Sequence, residues 1–196
     1  AVAVEGGILA VLIIFFFLAS GRATFIIALS IPTSIIATFL LMHFRGMTLN
    51  VITLGGLTLG IGRIVDDSIV VLEAIVRHLK SGKNPFDAAI SGAREVGLPV
   101  AASTFTTIAV FVPIMFVGGF AQQFFAPLAL TVSFALLASL IVSLTLIPMA
   151  GSRLLKREEK AGEKLSKINV ALKKWEEGFL KVEGLYRRML DWALKN

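Results

Sequence analysis

The chain of 196 residues is 56% hydrophobic and only 16% charged, with a formal net charge of +6. Soluble domains carry about 25% charged residues, so this composition excludes an ordinary globular enzyme and points to an integral membrane protein whose charges collect after Gly151. With no cysteine and two histidines, disulfides, thiolate metal sites and a His-rich metal site are excluded, and no cofactor is expected. The basic balance reads as membrane topology rather than nucleic-acid binding.

Five segments are long and apolar enough to cross a bilayer, at roughly residues 4–19, 23–42, 49–76, 96–117 and 124–150, given that a helical crossing takes about 20 residues. Their apolar runs do not alternate with period two, which argues against a transmembrane barrel. The predicted fold is therefore all-α: a polytopic bundle over residues 1–152, followed by a cytoplasmic amphipathic helix over 153–196. The connections "SGR", "FRGMT" and "GGFAQQ" are short and make successive helices antiparallel neighbours. The longer stretch from Arg77 to Glu95 predicts a short surface helix, with Asn84 as N-cap, Pro85 at the first helical position and Asp87 in the first turn. Pro32, Pro113 and Pro148 are expected as tolerated kinks inside spans. The chain begins with Ala and has no signal-peptide n-region, so further sequence upstream is expected.

The tail places Leu165, Ile168, Leu172, Trp175, Phe179, Val182, Tyr186 and Met189 at spacings of three and four, with Lys and Glu between them. This pattern predicts a helix lying on the inner membrane surface. A coiled-coil seam is the alternative, weakened by Gly178 and Gly184. Seventeen of the nineteen Lys and Arg residues fall in one alternate set of loops and the tail, against Arg45 alone in the other set. The bias puts the tail in the cytoplasm and residue 1 outside.

The exception to this pattern is "GIGRIVDDSIVV", in the middle of the third predicted span. Each Asp or Arg at a helix centre costs about 2.5–3.5 kcal/mol to insert, so Arg63, Asp66 and Asp67 together cost roughly 8–10 kcal/mol before any pairing. Helical neighbours lie three and four residues apart, so the Arg63 guanidinium is within reach of both carboxylates and can bridge them, and spacing alone leaves open whether it touches Asp66, Asp67 or neither. Adjacent carboxylates repel and titrate as a coupled unit. Such a unit can carry zero, one or two protons, as a proton-driven machine requires at its midplane. A structural ion pair accounts for one aspartate but not for two. An intramembrane aspartyl protease needs carboxylates opposed on separate helices, and no other span core contains an acid. Gly56 and Gly60 form GxxxG and predict close approach of a partner helix beside the acids. Ser103, Thr104, Thr106 and Thr107 face either a proton path or their own helix.

The run "TLNVITLGGLTLGIGRIVDDSIVVLEAIVRHLKSGKNPFDAAISGAREVGLPVAASTFTTIAVFVPIMFVGG", with flanks "FFFLASGRATFIIALSIPTSIIATF" and "QQFFAPLALTVSFALLASLIVSLTLIPMA", resembles the resistance-nodulation-division (RND) superfamily, and within it the hydrophobe/amphiphile, or multidrug, efflux branch. The resemblance covers roughly residues 5–155. It implies that the five spans are helices two to six of the transporter's first half and that Asp66 and Asp67 relay protons as the coupling ion. It further implies a bacterial inner-membrane setting and a homotrimeric parent. A second half with a basic partner for the aspartates and an extracytoplasmic porter domain are both missing from this sequence. Position 63 is ordinarily apolar in the family, so Arg63 departs from the pattern. The alternative expectation is an inactive or structural half-transporter that needs its partner half.

Overall fold

The computed structural model describes Phe15, residues 20–116 and residues 118–155. The first predicted span, apart from Phe15, and the tail helix beyond residue 155 lie outside the described residues. Four long helices follow in order: α1 (Gly21–Phe44), α2 (Val51–Lys80), α3 (Pro85–Phe111) and α4 (Phe120–Leu154), with a short 3-10 turn at Pro113–Phe116. There is no strand among the described residues.

Local chemistry sets the helix ends. The Asn50 side chain accepts the backbone N–H groups of Ile52 and Thr53 at 3.0 Å, and the Thr53 hydroxyl accepts the Asn50 N–H at 2.9 Å. This capping box satisfies donors that the first turn of α2 leaves unpaired. At the far ends of α1 and α2 the chain leaves through Gly46 (φ 69°) and Gly82 (φ 98°). Each glycine N–H reaches back to the helix, and so does the N–H of the residue after it: Met47 to the Met42 carbonyl at 2.9 Å and Lys83 to the His78 carbonyl at 3.4 Å. This is the Schellman arrangement, and its left-handed residue favours glycine.

At the start of α3 the Asn84 side chain accepts the Asp87 N–H at 2.8 Å, with Pro85 next in line. Asn84→Ala is expected to weaken the α2–α3 turn by about 1 kcal/mol, read as a lower thermal midpoint of the purified protein. An unchanged midpoint would show that the cap is dispensable.

Two expectations are corrected here. The predicted surface helix is not separate: Pro85 to Phe111 is a single helix. Ala88, Gly92, Val100 and Thr104 are buried and Val96 partly so. These residues recur every four positions, so one packing stripe continues through the expected boundary at Glu95. Pro99 lies inside this helix, and Pro113 does not kink a span but opens the 3-10 turn after α3 has ended.

The helices α2 and α4 pack on each other, and each also packs on α1 and α3. The end of α2 meets both the start of α3 and the end of α4, through Ile75 against Gly92 and Gly151. The largest apolar core lies at this end, where Ile26, Ile27, Val71, Leu72, Ile75 and Ile147 are fully buried. Toward the other end small or hydroxyl-bearing residues such as Thr53, Ala129, Thr131 and Ala135 are buried beside Leu57, Ile61, Ile64 and Leu136.

Many large apolar side chains point outward, among them Ile36, Phe44, Leu98, Phe105, Val110 and Ile141. An outward apolar surface of this extent suits hydrocarbon rather than water. Among the described residues three segments are long and apolar enough to cross a membrane: Gly21–Phe44, Pro85–Phe116 and Phe120–Leu154. With 30 residues, α2 is about 45 Å long. It differs from the others in its ionisable centre.

Candidate functional site

The middle of α2 carries its three ionisable residues on different faces. Asp67 is 4% exposed and points into the bundle, whereas Asp66 is exposed and Arg63 half-buried. Successive residues of a helix are turned by about 100°, so adjacent carboxylates cannot share one environment. The Ser139 hydroxyl of α4 donates to Asp67 Oδ2 at 3.0 Å. Thr104 of α3, fully buried, neighbours the same carboxylate while its hydroxyl donates to the Val100 carbonyl. One residue further on, Ser68 pairs with Ser30 of α1 at 2.9 Å between hydroxyl oxygens. The Asp67 level of α2 therefore meets polar atoms from all three neighbouring helices.

Of the open possibilities for Arg63, the structure shows that it pairs with neither aspartate. The only ion pairs among the described residues join Glu95 to Arg77 and to His78, at 2.5 and 2.8 Å. Arg63 instead donates from Nη2 to the Ser103 hydroxyl of α3 at 2.9 Å, and its Nε is buried with no hydrogen-bond partner. The cause is helix geometry. Side chains lean toward the helix N-terminus, so the long arginine leads away from acids that follow it by one turn. An acid placed before its base is the better order at this spacing.

Gly56 and Gly60 lie against α4. A Cβ at Gly56 would sit 3.0 Å from the Leu128 carbonyl oxygen, and one at Gly60 would sit 2.7 Å from Ala135 Cβ. Gly55 and Gly62 face open space. Gly60→Ala is expected to destabilise the protein by about 1–3 kcal/mol through overpacking, and Ala135→Gly in the same chain to recover most of that loss. Denaturation of the two variants in detergent checks this, and a double variant no better than the single one would refute the contact.

Two participants escaped sequence reasoning. Ser139 is one of four serines in α4, with Ser133, Ser143 and Ser152, and only the rotation of α4 selects it. Gly92 meets the backbone of Ile75 in α2. Its spacing from Ala88 is the small-xxx-small signal that flagged Gly56 and Gly60, and that spacing would have revealed it.

Outward apolar surfaces, three helices fit to span and a buried acid at the centre of the bundle define a multi-pass helical membrane protein. The match to known families is specific. The chain belongs to the AcrB/AcrD/AcrF family of RND multidrug efflux transporters, whose model matches residues 2–196. It is 41% identical over 96% of its length to multidrug resistance protein MdtC of Photorhabdus laumondii and, with the same figures, to that of Escherichia coli K12. It is 48% identical over 76% of its length to MdtC of Pantoea ananatis. The chain spans 18% of the length of the first two relatives and 14% of the third.

Proposed function

We propose that the chain is the membrane core of a proton-driven multidrug or amphiphile efflux transporter, with Asp66 and Asp67 as the proton-coupling pair and Arg63 as their in-helix cation. The observation that carries this reading is Asp67, a carboxylate 4% exposed at the centre of an apolar bundle and beside a second acid. Ionisable groups in such positions are costly and mark ion or proton pathways. In this reading α1 to α4 are four of five spans and the first lies within residues 4–19. The tail after residue 152 is a cytoplasmic interfacial helix, and residue 1 is extracytoplasmic in the bacterial inner membrane. The basic residues Arg22, Arg77, Lys80, Lys83, Arg94 and Arg153 support that orientation.

The partners of this core are lipid, a second transporter half and an extracytoplasmic porter domain, in a homotrimeric parent. Asp66 supports the need for a second half, because it is exposed and among the described residues no cation lies within ion-pair distance of it. The same observation favours the alternative that residues 1–196 alone are an inactive half-transporter.

The test is export by the full-length protein in proteoliposomes under an imposed pH gradient, with Asp66→Asn and Asp67→Asn compared with wild type. Loss of proton-coupled export in both is expected. Undiminished export in both would overturn the reading.

A further inference from the structure

Arg63, the in-helix cation of the proposed site, bonds Ser103 and neither acid. Its side chain is half-buried at the contact between α2 and α3, and its five N–H donors need acceptors there. One of them, on Nη2, meets Ser103 Oγ at 2.9 Å, while Nε is buried and unpartnered. Both carboxylates lie within one helical turn, where neighbouring Cβ atoms are about 5–6 Å apart, yet neither accepts from it. Among the described residues no other ionisable group competes for it. Between Val96 and Phe111, α3 has none, α4 has only Arg153 at its end, and α1 has only Arg22 and His43 at its ends. Within α2 the remaining acid, Glu73, lies almost three turns further along.

We infer that Ser103 is a positioning residue with two-state consequences: it seats the Arg63 guanidinium away from the acid pair, and the guanidinium transfers to an Asp66 or Asp67 oxygen when that carboxylate ionises. The inference rests on the proton-coupling reading given above. A neutral carboxyl offers a guanidinium little more than a hydroxyl does, so the Ser103 seat holds. An ionised carboxylate forms a charge-assisted bond, stronger and shorter than the one to serine, and draws the guanidinium back along its own helix. Because Ser103 belongs to α3 and the acids to α2, each transfer makes or breaks a mid-membrane tether between these two helices. The unpartnered Nε fits a group that is fully satisfied only in its other seat.

The experiment is infrared titration of the protonated-carboxyl band in the purified full-length protein, with Asp67→Asn and Asp66→Asn assigning the band. Ser103→Ala removes the seat and leaves the guanidinium on the carboxylates. Its titration midpoint is expected to move to lower pH by about 1 unit, the effect of an opposite charge brought into contact. Ser103→Thr keeps a hydroxyl and should titrate as wild type. Arg63→Leu should move the midpoint to higher pH, and Ser103→Ala added to it should change nothing more. The inference is overturned if Ser103→Ala leaves the midpoint in place, if it shifts the midpoint equally with Arg63→Leu present, or if no band is lost in either Asn variant. The two readings fail separately. Asp67→Asn and Asp66→Asn that export normally, with a Ser103-dependent band, remove the coupling role and keep the seat. Export-dead Asn variants whose wild-type band ignores Ser103 remove the seat alone.

Discussion

Asp67→Asn is expected to bring proton-coupled export down to the background of empty proteoliposomes while leaving the protein folded. Asparagine has the shape of aspartate, and its carbonyl oxygen can accept the Ser139 hydroxyl that Asp67 Oδ2 accepts at 3.0 Å. The contact and the packing survive, and only the exchangeable charge is lost. Asp67→Leu should cost stability as well, because it leaves the Ser139 hydroxyl in an apolar setting with only its own helix to bond. Glu73→Gln serves as the control. Glu73 is exposed two turns further along the same helix, and its loss should leave export unchanged. Equal loss in Glu73→Gln would mean that export senses any change of charge on α2 rather than the acid pair. Under the proposed function Asp66→Asn should match Asp67→Asn in transport, but Asp66→Leu should cost no fold stability because the residue is exposed.

Gly92→Val is expected to destabilise the bundle by at least about 3 kcal/mol, the upper end for overpacked sites. A Cβ at Gly92 would lie 2.7 Å from Ile75 N, 2.8 Å from Ile75 Cα and 2.9 Å from the Ala74 carbonyl carbon. All three are backbone atoms near the end of α2 and cannot rotate aside, so the two helices must separate. Separation would open the contact that buries Ala88, Ala89, Ile75 and Leu79 and would pull on the Arg77–Glu95 and His78–Glu95 pairs nearby. Gly97 is the internal comparison on the same helix. A Cβ there would meet only the Leu144 side chain, at 3.7 Å, so Gly97→Ala should be neutral to within about 0.5 kcal/mol. Monodisperse yield and thermal midpoint in detergent read both variants. A Gly92→Val protein as stable as Gly97→Ala would show that the helices cross less closely than described.

The sequence revealed where helices lie better than where they end. Spans expected at 23–42 and 124–150 fall within Gly21–Phe44 and Phe120–Leu154, and the one expected at 49–76 starts two residues before the helix Val51–Lys80. Hydropathy marks the part of a helix that sits in hydrocarbon, whereas the helix itself continues until a cap or a glycine stops it. That is why Pro85–Phe111 was read as two pieces: Arg94 and Glu95 end the apolar run but not the backbone hydrogen bonding. Asn84 was legible because an N-cap works through its own neighbours. The partners of the site were not, because they depend on how helices rotate against one another. Ser139 rather than Ser133 faces Asp67, and Arg63 reaches Ser103 rather than an acid. Spacing along α2 states which residues are close, but not which way a long side chain leans.

The uneven core of this bundle gives it a direction. At the basic end, large branched side chains from all four helices interlock around Ile75 and Leu72. At the other end, Gly56 and Gly60 of α2 rest against Leu128, Thr131 and Ala135 of α4. Branched side chains act as cogs that resist sliding, whereas a smooth seam of glycine against small side chains offers few teeth. Asp67 stands between these two regions, so the close α2–α4 seam lies on its outer side and the branched core on its cytoplasmic side in the proposed orientation.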